Sequence, residues 1–133
     1  MDLDSDGDTV SDLDDCDTAN PQVWTRPGEA LGLTLQHNHG TGLTSLSWAP
    51  PTPYGCMPAL MLFDTVMSGD PSDFVTTAVC VETDDGPNTD SQHGTDPAVG
   101  QVYYFVARPE NPCGHGGSGH RSDGTPRVAR TCP

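Results

Sequence analysis

Alternation of apolar and polar residues with the period of an extended chain marks two segments near the start of this sequence, residues 30–36 (ALGLTLQ) and 43–48 (LTSLSW). The second is closed by Ala49-Pro50-Pro51, so these two segments predict the first two strands. Residues 58–67 (PALMLFDTVM) form a third apolar run; its shortness and its bracketing by proline and glycine favour a strand over a helix. Residues 78–83 predict a fourth strand. Residues 101–108 (QVYYFVAR), dense in aromatic and β-branched side chains, predict the strongest one, and residues 125–131 a short last one. Residues 84–97 read as a long polar loop. Pro109 offers no N–H donor, so pairing is expected to stop or bulge there. Short strands separated by turn signals predict an all-β, seven-stranded sandwich over residues 29–133.

Composition agrees with short strands and many turns. Only 33% of the 133 residues are hydrophobic and 6% aromatic, while Gly and Pro number 15 and 13. The length allows one modest core plus an appendage. The formal net charge is −14, with five arginines and no lysine, so nucleic acid and anionic lipid are poor partners by repulsion, and cations are better ones. No apolar run approaches the ~20 residues that cross a bilayer, and the amino terminus lacks the basic-then-apolar layout of a signal peptide, so the chain reads as mature, with Met1 open as a native start. Five cysteines with no CxxC pair fit disulfides in an oxidising, extracellular compartment.

Charge is concentrated in residues 1–17, where eight residues are aspartate. Counted from Asp4, the loop positions 1, 3, 5, 7, 9 and 12 that supply oxygen to calcium in an EF-hand are Asp4, Asp6, Asp8, the Val10 carbonyl, Asp12 and Asp15. Thr9 stands at position 6, where a sharp turn normally takes glycine, and Asp15 is one methylene shorter than the usual glutamate. Asp2, Asp14 and Asp17 are left for the surroundings of the ion or for a second ion. A solvated acidic tail is the bland alternative, but a tail has no reason to keep this register. Magnesium prefers rigid six-coordination, and zinc or copper would want His or Cys, so Ca2+ is the expected ion. Residues 18–28 then read as a proline-containing linker pinned by Trp24.

The run DSDGDTVSDLDD resembles a thrombospondin type-3 repeat, and DCDTANPQVWTRPGEA is similar to Asp-Cys-Asp-rich metal-binding repeats of bacterial surface proteins. Both resemblances imply calcium and secretion. Further along, Trp48 before Pro50-Pro51 and the stretch PAVGQVYYFVARPENPCG resemble a fibronectin type III domain, covering about residues 29–132. The tail from YYFVARPENPCG to the last cysteine is similar to fibronectin-III-like domains at the ends of bacterial secreted proteins. That likeness implies an Ig-like sandwich with Trp48 and Tyr103 or Tyr104 in its core.

Cys113 and Cys132 flank a glycine-rich loop and the last predicted strand, so they form one expected pair; Cys56 and Cys80 form a second, although sequence allows other connectivities. Cys16 is left unpaired or bonded to a neighbouring molecule, unless it takes one of the other four. The pair His37 and His39, and His115 with His120, lack an evident third ligand and read as solvated loop residues. Gly114, Gly116, Gly117 and Gly119 precede no helix and no lysine, which argues against a phosphate loop. Asp90 and Asp96 fit no loop register, and Asp84-Asp85 lie in a wet loop. No nucleophile elbow or buried carboxylate pair is evident, so the chain reads as non-enzymatic. The expectation is an extracellular calcium-binding structural module that associates with itself into a surface filament or with neighbouring modules. The alternatives are a terminal adhesion or display module and a carbohydrate-binding accessory domain using Trp24 and Tyr54.

Overall fold

The computed structural model describes residues 3–82 and 86–133, and its chain is all-β. Strands β1 (Leu31–Asn38) and β2 (Leu43–Ala49) form a hairpin, and β3 (Leu62–Ser68) follows a single 3-10 turn at Pro58–Leu60. β4 (Val79–Glu82), β5 (Asp90–His93), β6 (Tyr104–Asn111) and β7 (Gly114–His115) complete the set. They make two antiparallel sheets, one ordered β1-β2-β5 and the other β4-β3-β6-β7.

β3 shows why the third apolar run does not alternate: it is covered on both faces. Phe63 points into the interior with Val23, Leu46, Trp48, Cys56, Met61 and Ala107, and the Thr65 hydroxyl meets the Ser91 hydroxyl at 3.1 Å from the other sheet. Val66 points outward, into a second apolar cluster with Phe74, Ala78, Val106, Ala129 and Cys132. The carboxy-terminal segment therefore lies over the outer face of the four-stranded sheet. Asp64 and Arg108, opposite one another on β3 and β6, form a buried ion pair of 2.7 Å there, and Arg108 also donates to the Ala129 carbonyl at 3.1 Å.

Arginines hold the rest of that cover. Arg130 donates to Ala78 O (2.6 Å), Arg127 to Pro71 O (3.0 Å) and Arg121 to Ser72 O (2.9 Å), while Arg26 donates to Cys113 O (3.1 Å). All five cations of this acidic chain thus satisfy carbonyls that irregular backbone leaves without ladder partners.

Several expectations are corrected. Residues 125–131 form no strand; only isolated bridges, Phe74 with Ala129 and His120 with Pro126, occur there, and the last strand is the two-residue β7. β5 sits inside the predicted polar loop because only Ser91 of its four residues is buried, which leaves no apolar signal. Pairing does not stop at Pro109, which stays in register opposite Phe63. Its carbonyl faces β7, taking the Gly116 amide at 2.8 Å, so the missing N–H falls on that side and costs the β3 ladder nothing. Within residues 18–28 the buried anchor is Val23, bridged to Cys56, whereas Trp24 is half-buried. Amides of Trp24 and Thr25 donate to Gly55 O at 3.0 and 3.1 Å, and Gly28 donates to Pro53 O at 2.9 Å, so this segment packs as part of the sandwich.

The disulfides also differ from the expected pairs. Cys16 bonds Cys113, with Cα atoms 5.7 Å apart, and Cys80 bonds Cys132, at 5.9 Å; Cys56 is a buried free thiol. Cys80 and Cys132 both belong to the outer cluster, while Cys56 faces the interior, so the sheet separates Cys56 from Cys80. Burial pushes the Cys56 thiol pKa up, against a lowering hydrogen bond with Asn111, and disfavours its reactive thiolate.

Candidate metal centre

The acidic head folds without an apolar interior of its own, since Leu3 and Leu13 are exposed. Its turns are built from carboxylates that accept nearby amides. Asp4 takes the amides of Gly7 (2.7 Å) and Thr9 (3.1 Å), Asp6 that of Asp8 (3.2 Å), Asp8 that of Val10 (2.8 Å) and Asp15 that of Asp17 (2.9 Å). In Asp6, Asp8 and Asp15 this engages Oδ1 alone. The second oxygen of each, Oδ2, is buried and has no hydrogen-bond partner among the described residues.

Ligand oxygens of Asp4, Asp6 and Asp8 lie within 4.8 Å of one another. Oxygens around one calcium, at 2.3–2.6 Å each, are separated by at most about 5 Å. Partial burial first, then the charges of Asp8, Asp15 and Asp4, push the Asp6 pKa above 3.8, against the lowering Asp8 amide. The donor set is all oxygen and anionic, which suits a hard divalent cation.

Thr9, at loop position 6, has φ +78°, and among the described residues it is the only non-glycine with left-handed backbone. The sharp turn is therefore made with a β-branched residue that disfavours it.

Not every expected ligand joins the group. Both Asp12 oxygens are taken by Ser5, Oδ1 by its amide (2.8 Å) and Oδ2 by its hydroxyl (2.7 Å). Nothing in the spacing of Ser5 and Asp12 signals this pairing. Asp14 is exposed, Asp17 is half-buried with its carbonyl taking the Asn20 amide, and Asp2 lies outside the described residues, as do Asp84 and Asp85. The base of the loop is fixed to the sandwich by the Cys16–Cys113 bond and by the Cys16 amide, which donates to Trp24 O at 3.2 Å.

Elsewhere, histidines meet carboxylates one to one: His37 Nε2 with Asp96 at 3.1 Å, His115 with Glu110 at 2.9 Å and His120 with Glu29 at 3.5 Å. His37 belongs to β1 and contacts the Thr44 hydroxyl at 2.9 Å, so it is not a loop residue. Among the described residues, the Asp4, Asp6 and Asp8 group is the one cluster of three or more such ligands close enough to share an ion. Tyr54 is half-buried and packs on the interior cluster. A side chain on Gly116 would collide with the Gly28 carbonyl and approach the Pro109 ring at 2.8 Å, so this glycine serves packing.

No protein-family profile matches the chain, and no curated protein matches it in sequence. Among solved structures it is similar to the crystal structure of an Fn3-like protein from Clostridium thermocellum, at 16% identity and a TM-score of 0.50, over 69% of this chain and 84% of that one. The likeness is one of fold: the two antiparallel sheets form an Fn3-like β-sandwich.

Proposed function

We propose that the acidic head binds Ca2+ through Asp4, Asp6, Asp8, Asp15 and the Val10 carbonyl, and that the chain is a non-enzymatic, extracellular structural module. The observation that carries this reading is the set of three buried, partnerless oxygens on Asp6, Asp8 and Asp15 beside Asp4. Unneutralised, such oxygens are costly to bury, and a divalent cation offsets that cost for all of them together. Position 9 of such loops often reaches the ion through water, a role open to Asp12 while Ser5 holds it. The thrombospondin type-3 resemblance of residues 4–15 points the same way.

In this reading calcium stiffens the head and the Cys16–Cys113 bond clamps it to the sandwich, so the head presents a fixed surface to a second copy or a neighbouring module of a surface assembly. Two disulfides fit an oxidising compartment, and among the described residues no helix is long and apolar enough to cross a membrane. Because Cys16 is bonded within the chain, association would be non-covalent.

Calorimetric titration of chelator-treated protein with calcium tests the site: saturable binding that Asp6→Ala with Asp8→Ala abolishes is expected, and absence of heat in the intact protein refutes it. Light scattering that rises with calcium supports self-assembly. A monomer at millimolar calcium leaves the terminal adhesion or display role instead.

A further inference from the structure

Among the described residues, strand β6 lacks a partner along most of one edge. In an antiparallel ladder the N–H and C=O of one residue point to the same side, and the side alternates along the strand. Pro109 takes the Gly116 amide on its β7 side, and Asn111 pairs there with Gly114. Ala107 and Phe105, two and four residues upstream of Pro109, therefore aim N–H and C=O at that same side. β7 ends at His115, after which Gly116 is wedged against Gly28 and the chain leaves the sheet. Among the described residues no group of the chain hydrogen-bonds these edge-facing atoms of Phe105 and Ala107.

Beside this edge runs an open groove. One part, of about 500 Å³, has Leu33 and Leu35 on one wall, Phe105 and Ala107 on the other, and Arg127 among its lining residues. A second part, of about 540 Å³, shares Leu35 and Phe105 and continues to His37 and Asp96. β1, the facing wall, is correspondingly exposed over nearly its whole length, with Leu35 at 49%.

We infer that this groove takes one extended strand of another polypeptide, apolar at alternate positions and positively charged, which adds to β6 in the place that the short β7 leaves open. Edge donors and acceptors at strand spacing are matched by the backbone of an extended peptide, and alternate side chains of that peptide would enter between Leu35 and Phe105. Charge favours a cationic partner through the field of the whole chain, which carries −14 net, with the half-exposed Asp96 at one mouth beside His37; the groove's own cation, Arg127, is turned to the Pro71 and His120 carbonyls. At this groove a second copy of this chain would meet the same field as repulsion, without the calcium that would offset it at the head. The inference does not depend on calcium at the acidic head.

The test titrates a synthetic peptide, Lys-Val-Thr-Val-Thr-Val-Lys, into isotope-labelled intact protein, once with calcium and once with EGTA. The Phe105 and Ala107 amides are expected to shift and to exchange more slowly in both buffers. Methylating the peptide nitrogens that face β6 should weaken binding by about tenfold for each hydrogen bond removed. Leu35→Arg, at an exposed position, should weaken it with an unchanged melting temperature, and replacing the peptide lysines by glutamates should weaken it again. Equal binding of the methylated or the glutamate peptide, or shifts confined to other surfaces, overturns the proposal. So does sedimentation showing a dimer with these two amides protected, which would make a second copy the occupant.

Discussion

Residues 3–17 are held by carboxylates that accept backbone amides, with their leucines in solvent, whereas the rest of the chain is held by two apolar clusters on opposite faces of one sheet. The most buried carboxylates show the contrast best. In the sandwich, the buried Asp64 carboxylate has the Arg108 guanidinium at 2.7 Å; in the head, Asp6, Asp8 and Asp15 each bury an oxygen with no partner among the described residues. The sandwich supplies its own countercharge, whereas in the proposed reading the head takes one from solution. Order in the sandwich should therefore follow chain chemistry alone, and order in the head should follow the ion.

The largest expected effect breaks the sandwich and spares the head. Asp64→Ala leaves Arg108 charged and buried, and should cost about 3–5 kcal/mol in denaturant unfolding. Calcium affinity measured below the new transition should be unchanged; a parallel loss of affinity would show that the two regions are one energetic unit. Calcium removal should do the reverse. At a hundredfold excess over Kd the ion stabilises what it binds by about 2.7 kcal/mol, so chelation should release that protection from amides between Asp4 and Asp15 in hydrogen exchange while β3 and β6 amides stay protected.

A smaller change sharpens the comparison within the head. Thr9→Gly relieves left-handed backbone at a β-branched residue and should tighten calcium binding by about 1 kcal/mol, near fivefold, in the same titration. Gly also has more freedom to lose as the head orders on the ion, so an unchanged or weaker complex would mean that this entropy outweighs the strain relieved at Thr9.

Acid provides the smallest effect and gives the two regions opposite signs. In calcium-free protein the Asp6 pKa lies above its ordinary 3.8, so its contribution to a folded head is present below 3.8 and lost as pH rises through the raised value. In the sandwich turns, Asp70 is held below 3.8 by the Ser72 hydroxyl and amide, Asp73 by the Thr76 and Val75 amides, and Asp123 by the Thr125 hydroxyl and amide. Their contribution is present above 3.8 and lost as pH falls through the lowered values. NMR titration of each carboxyl carbon checks both directions, and a common midpoint for Asp6 and Asp73 would contradict them.

Legibility in the sequence followed the same division. β1, β2, β3 and β6 were readable because side-chain alternation or β-branched density is a local signal. β5 was not, since a strand of Asp, Ser, Gln and His takes its place from backbone pairing with β2. The turn at Thr9 was legible as a departure at loop position 6, and the left-handed φ found there is its structural counterpart. Ser5 holding Asp12 was not legible, because a hydroxyl seven residues away carries no spacing signature.

The sequence alone determined the all-β class, the turn-rich strands and the acidic register of the head, because each depends on residues near one another in the chain. Only the tertiary structure decided which cysteines meet, that Val23 and not Trp24 anchors the entry segment, and that the carboxy-terminal residues cover the outer face of the sheet instead of completing its edge. Those outcomes depend on which face of a sheet a residue occupies, and a linear pattern states that two neighbours face opposite ways without saying what lies across from either.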